Sequence, residues 1–200
     1  MSKDNIVKSS FILFLKKGYK EVTIKNIMEA TNLSKGAIYH HFSSKEEIYF
    51  ATLETYYFEL LKTDDSLFQS GNFKENIRLL YRIASDMFSS IENLTEEGMN
   101  YPIRNYYSFQ LESEKNEIVR SKTMLAVFDF RKMIKNIVSK AIDKKQIKSD
   151  LDIEAVTFQI IGLLEGTAVH HSTFKDDVHS KLMERYDLVF DSYLDLICID

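Results

Sequence analysis

Apolar residues recur every three or four positions along most of this 200-residue chain, with polar and charged residues between them. That spacing belongs to helices that bury one stripe. Ile6, Val7, Phe11, Phe14 and Leu15 form the first stripe and predict a helix over 3–17, closed by Gly18. Ile24, Ile27 and Met28 predict a second over about 24–30, capped by Thr23, with Ala30 small enough to admit a neighbouring helix. Asn32 stands where the chain must turn sharply, and asparagine tolerates the left-handed conformation better than most residues. Leu33 plugs that turn into the core, Ser34 caps a third helix over 35–41, and Ile38 and Phe42 lie on its inward face. Ser44 followed by Glu47 is a capping box that starts a fourth helix over about 45–61.

Beyond the polar stretches Thr63–Ser66 and Ser70–Asn72, the same period predicts helices over about 73–91, 103–116, 119–145, 152–171 and 177–198. Breaks fall at Glu97–Gly98, at Pro102 and near Ser149–Asp150, and the segment 95–101 has room for a short helix. Ile153, Val156, Ile160, Ile161, Leu163 and Leu164 cover much of the penultimate helix. The last helix is apolar on more than one side, through residues such as Leu182, Tyr186, Leu188, Phe190, Leu194 and Leu196. A helix of that kind needs more than one partner, and Gly162 and Gly166, four apart, would let two helices approach closely.

The third helix carries the candidate chemistry. Its outward residues are Lys35, Gly36, Ala37, Tyr39, His40 and His41, with Lys45 just beyond. Lysines supply point charges for phosphates, and Gly36 lets backbone approach backbone. Tyr39 offers a phenol for phosphate and a ring for sugar or a thymine methyl, and the histidines can donate to phosphate or base edges. A short helix with such a face can enter a DNA major groove.

In order along the chain stand Phe14-Leu15-Lys16-Lys17-Gly18-Tyr19, Val22-Thr23-Ile24-Lys25-Asn26-Ile27, Ser34-Lys35-Gly36-Ala37-Ile38-Tyr39-His40-His41-Phe42 and Lys45-Glu46-Glu47. These motifs, over roughly residues 5–50, resemble the N-terminal pattern of the TetR family of transcriptional regulators. The chain departs from that pattern at Met28, Asn32 and Ala37, where the family usually has Ala, Gly and Thr, and at Ser9 and Ser10, which replace a common alanine pair. The resemblance implies an all-α protein. Its N-terminal three-helix helix-turn-helix head, residues 1–47, would bind DNA, and its C-terminal helical body, residues 48–200, would bind ligand and dimerise, with the fourth helix linking the two. Thr23, Ser34, Lys35, Gly36, Ala37, Tyr39, His40, His41 and Lys45 are the expected DNA-binding residues. The resemblance also implies a homodimer through the helices at about 152–171 and 177–198, reading a near-palindromic operator. The function implied is a repressor released by a small-molecule effector.

Composition agrees with this reading. The chain is 44% apolar with six glycines and one proline, which favours helices. The net charge of −4 hides an asymmetry: residues 1–45 hold eight lysines against three acidic groups, leaving −9 on the other 155 residues. A basic head on an acidic body presents one face to DNA. The single Cys198 cannot form an internal disulfide, and it is expected as a buried structural thiol. No apolar run reaches the length of a membrane span, and no signal pattern opens the chain, so a cytoplasmic protein is expected.

No metal, cofactor or catalytic constellation is expected. The rival readings are a metal-binding or enzymatic helical protein using His170, His171 and His179 with Asp176 and Asp177, and a helical interaction module without DNA binding. Adjacent histidines point to different faces of a helix, unlike the i, i+4 pair of a helical metal site. Tyr81, Phe88, Tyr101, Tyr106, Tyr107, Phe109, Phe128 and Phe130 make the middle of the chain aromatic. Arg104, Glu165 or His170 could anchor an effector there, but plain core packing accounts for the aromatics and no ligand-binding residue is assigned.

Overall fold

The computed structural model describes residues 2–69, 71–174 and 178–199. Its helices are α1 (Ser2–Lys17), α2 (Ile24–Thr31), α3 (Lys35–His41), α4 (Lys45–Thr52), α5 (Phe58–Leu60), α6 (Phe73–Glu92), α7 (Pro102–Ser113), α8 (Glu117–Asp143), α9 (Ile153–His171) and α10 (Val178–Ile197). A π-helical turn, Leu53–Tyr57, joins α4 to α5, and a 3₁₀ turn covers Asp65–Phe68. No helix among the described residues is long and apolar enough to cross a membrane.

The chain packs as two compact units. The first is Met1–Lys62 with Asn105–Thr123, and the second is Thr63–Arg104 with Met124–Asp200. The first unit is built on the α1 stripe: Ile6, Val7, Phe11, Phe14 and Leu15 are all buried, together with Ile27, Ile38, Ile48, Tyr57 and Phe109. Phe11 stacks on Tyr56 at 4.9 Å between ring centroids and meets the edge of Phe109 at 5.6 Å. The π turn replaces the expected unbroken fourth helix. There the Phe58 N–H donates to the Leu53 carbonyl, five residues back, so the turn is one residue wider than an α turn. Tyr56 can therefore stack on Phe11 while its neighbour Tyr57 is fully buried, its hydroxyl 3.4 Å from that of Thr123.

Ser10 is also fully buried here, and among the described residues its hydroxyl has no hydrogen-bond partner. A buried hydroxyl that trades water for nothing destabilises the fold. Ser10→Ala is therefore expected to raise unfolding free energy by about 1 kcal/mol, read as a higher urea midpoint at unchanged slope. A lower midpoint would show that the hydroxyl is bonded in solution.

In the second unit α6 lies against α10. Asn72 and Glu75 form a reciprocal capping box at the start of α6, and Phe73, Ile77, Leu80, Tyr81, Phe88 and Ile91 point inward. Tyr81 stacks on Phe190 at 5.1 Å and donates its hydroxyl to Asp187 at 2.6 Å. Arg78 pairs with Asp191 at 2.9 Å and Lys74 with Asp195 at 3.6 Å, so three polar rungs fix the antiparallel register at the rim of the core. Val156, Ile160, Leu164 and Ala168 of α9 are buried, as are Met133, Ile134, Ile137 and Val138 of α8.

Several elements differ from the sequence expectation. The segment 95–101 is a run of turns with Gly98 and Tyr101 at positive φ (74° and 53°), a conformation a helix cannot hold. The long helix stops at Asp143 rather than 145, because Lys145 turns left-handed at φ 56°. Ala30 is exposed instead of facing a helix, and the buried position passes to Thr31, whose hydroxyl donates to the Ile27 carbonyl at 2.6 Å. Cys198 is only half-buried. It lies past the end of α10, where an isolated antiparallel bridge pairs it with Ile147.

Candidate nucleic-acid interface

The candidate interface grows from two capped helices and the turn between them. The Thr23 hydroxyl accepts from the Asn26 N–H at 3.2 Å, and the Asn26 side chain accepts from the Thr23 N–H at 2.9 Å, closing a capping box. Asn32 takes the left-handed conformation (φ 55°, ψ 35°), and its N–H donates to the Met28 carbonyl. The Ser34 hydroxyl accepts from the Ala37 N–H at 3.2 Å and starts α3. Ile27, Ile38 and Phe42 are buried and Ile24 and Leu33 half-buried, which anchors α2 and α3 from beneath.

Ile38 is the buried residue of α3. Lys35, Gly36, Tyr39 and His40 are exposed, as are the capping residues Thr23 and Ser34, whereas Ala37 and His41 are half-buried. The Lys35 ammonium lies 5.8 Å from the centre of the Tyr39 ring, so the two form one exposed basic and aromatic surface. The His40 and His41 rings meet edge to face at 5.0 Å. This surface offers ammonium, phenol and imidazole donors on a two-turn helix, a set suited to phosphate oxygens and base edges.

Lys45 has a second occupation. Its ammonium donates to the carbonyls of Tyr19 and Val22, both at 2.8 Å, and lies 4.2 Å from the centre of the Tyr19 ring. Two of its three N–H groups are thus engaged within the protein, leaving one for a phosphate. The capping box expected at Ser44 and Glu47 is shifted by one residue. The Ser44 hydroxyl accepts from the Glu47 N–H at 3.1 Å, but the Glu47 carboxylate takes the N–H and hydroxyl of Ser43, at 2.6 and 2.7 Å. Those two bonds hold the Glu47 carboxyl below the usual carboxylate range.

The rival histidines do not converge. His171 is buried, and its Nδ1 shares a hydrogen bond with the Arg185 guanidinium. His170 is exposed beside the Phe174 ring, and His179 pairs with Asp86 at 3.3 Å. Asp176 and Asp177 lie outside the described residues. Among the described residues no three His, Cys, Asp or Glu side chains gather as metal ligands.

The mid-chain aromatics are dispersed. Tyr106 and Phe109 pack around Tyr57 in the first unit, Tyr81 and Phe88 are core in the second, and Phe128 is exposed. On α9, Phe158, Gly162, Gly166 and Val169 form an exposed stripe, and a Cβ on either glycine would meet no atom within 4 Å. On α10, Leu188 is 74% and Leu196 67% exposed. Sequence reasoning missed Asn26, Thr31 and Glu112. Asn26 could have been found as the third residue after a threonine cap, but Glu112, which accepts from the Tyr19 N–H at 2.9 Å across 93 positions, leaves no local signal.

Residues 6–52 match the family model described as bacterial regulatory proteins, tetR family, and residues 111–186 match a tetracyclin repressor-like C-terminal domain. Among curated proteins, the chain is 26% identical over 111 residues to the biofilm operon icaADBC HTH-type negative transcriptional regulator IcaR of Staphylococcus epidermidis; the match covers 52% of this chain and 60% of that protein. It is 24% identical over 169 residues to the HTH-type transcriptional repressor AcnR of Corynebacterium glutamicum, covering 82% of this chain and 79% of the relative. A crystal structure of a TetR-family transcriptional regulator from Cytophaga hutchinsonii superposes with a TM-score of 0.64 at 26% identity, over 99% of this chain and 95% of that one.

Proposed function

As a member of the TetR family of bacterial regulatory proteins, this chain is a DNA-binding transcriptional regulator, and we propose that it is a homodimeric repressor released from its operator by a small-molecule effector. Operator reading is assigned to residues 1–47, and effector binding and dimerisation to residues 48–200. The observation that carries this reading is α3 itself. It is held from beneath by Ile38 and Phe42, while Lys35, Gly36, Tyr39 and His40 stand open to solvent. Thr23, Ser34, Ala37, His41 and Lys45 complete the proposed DNA-contacting set.

A single head of this size would bind weakly, so the proposal includes a two-fold dimer through the exposed stripes of α9 and α10. Two copies of α3 would then lie about 34–36 Å apart, one turn of DNA, over a near-palindrome. The IcaR relative is named a negative transcriptional regulator and AcnR a transcriptional repressor, which supports repression here. Effector release follows from linkage: a ligand that favours a body conformation with the wrong head spacing lowers operator affinity by its differential affinity for the two states.

Selection of duplexes from a randomised DNA library by the full-length protein tests the reading. The expected product is a near-palindrome with half-sites about 10 base pairs apart. Enrichment of no sequence, with no gel shift at low salt, would remove the regulator assignment.

A further inference from the structure

The turn between α1 and α2 is gripped from two sides. Gly18 ends α1 at φ 79°, its N–H bonded to the Phe14 carbonyl at 2.8 Å. The next N–H, that of Tyr19, donates to the Glu112 carboxylate of α7 at 2.9 Å. From the other side the Lys45 ammonium donates to the Tyr19 and Val22 carbonyls and covers the Tyr19 ring. The fit at Gly18 is close: a Cβ there would sit 2.6 Å from Glu112 Oε2. Tyr49 fills the space between, its ring 4.6 Å from that of Tyr19, and its phenol is pushed well above its ordinary value by burial and then by the Glu112 carboxylate.

Thr23, the cap of α2, follows this turn directly, and α2 leads through the Asn32 turn into α3. We propose that Glu112 is a positioning residue for DNA reading, its carboxylate fixing the Tyr19–Val22 turn and hence the placement of α2 and α3. Glu112 lies sixty residues past the stretch that matches the tetR-family model of bacterial regulatory proteins, 6–52, yet belongs to the same compact unit. Operator reading then needs a carboxylate that the helix-turn-helix sequence does not contain. A charge-assisted hydrogen bond is among the stronger single polar contacts, and a backbone N–H left without it must find water or move. Because the turn precedes both helices, a small displacement there is carried to Lys35 and Tyr39.

The proposal rests on α3 being the DNA-contacting helix, and the two can fail separately. The test uses full-length Glu112→Leu and Glu112→Gln proteins, with Glu112→Ala read the same way should the leucine variant not fold. Probes are a labelled duplex carrying the site that the wild type selects from a random library, and sheared genomic DNA at low salt. Glu112→Leu is expected to bind the selected duplex about tenfold more weakly, with binding to sheared DNA unchanged. Glu112→Gln, which keeps an oxygen acceptor, should recover most of that loss. The Tyr19 amide proton should move upfield in both, further in Leu. Wild-type affinity in Glu112→Leu would overturn the proposal, and so would an equal loss on both DNAs without rescue by glutamine. Failure of the wild type to select any site would instead count against DNA reading by α3.

Discussion

Tyr39→Ala is expected to weaken binding to the selected operator by on the order of a hundredfold or more, with the fold and the proposed dimer intact. The magnitude follows from geometry and symmetry. Tyr39 is 43% exposed on the outer face of α3, beside the Lys35 ammonium, so its ring and hydroxyl are available to a groove. A hydrogen bond to a charged phosphate is worth roughly 1.5–3 kcal/mol, and a two-fold dimer loses it at both half-sites. The fold should not suffer, because an exposed tyrosine contributes little packing and alanine is the better helix former by about half a kcal/mol. Tyr39→Phe separates the parts: it removes the hydroxyl, keeps the ring, and should fall between wild type and alanine. The measurements are affinity for the selected duplex and the thermal midpoint. A midpoint that drops by many degrees would mean Tyr39 is core, and the assignment of α3's outer face would have to be redrawn.

The helices that carry their own periodic signal were legible in the sequence. Ile6, Val7, Phe11, Phe14 and Leu15 are buried where their spacing predicts, and Thr23, Asn32 and Ser34 punctuate α2 and α3 as their chemistry requires. These are local effects, settled within four or five residues. The misses are of another kind. The π turn at Leu53–Tyr57 answers to Phe11 and Thr123, partners far away in sequence, so periodicity read along one helix cannot find it. Lys45 reads as a free charge because its acceptors are backbone carbonyls, which leave no mark on residue type. Glu47 chose Ser43 over Ser44, a one-residue choice between chemically equal neighbours. Thr31 displaced Ala30 because a threonine hydroxyl can be buried once it bonds the preceding turn. Candidate DNA donors could be proposed from residue type and helix face; the residues that position them could not.

The double substitution Leu188→Asp with Leu196→Asp is expected to convert the protein to monomers of 23.4 kDa and to lower operator affinity by about 10²–10⁴-fold. Both leucines are more than half exposed on α10, so neither is held by its own chain and the carboxylates cost the monomer little. In the proposed dimer the same positions are buried against a second copy. Two-fold symmetry then brings four new carboxylates into one apolar interface, where like charges repel and each loses water. The exposed stripe of α9 supplies the complementary reason to expect an interface. Phe158 and Val169 flank two glycines with open space above them, a surface that lets a partner helix approach closely. The affinity loss comes from multivalency rather than from any DNA contact, since untethered heads lose the effective concentration, on the order of millimolar, that links the second binding event to the first. Light scattering reads the mass, circular dichroism the retained helix content, and titration of the selected duplex the affinity. If the variant stays dimeric at micromolar concentration, the interface lies elsewhere on the chain; if it becomes monomeric but binds the operator as tightly as before, one head suffices and the two-fold reading of the operator fails.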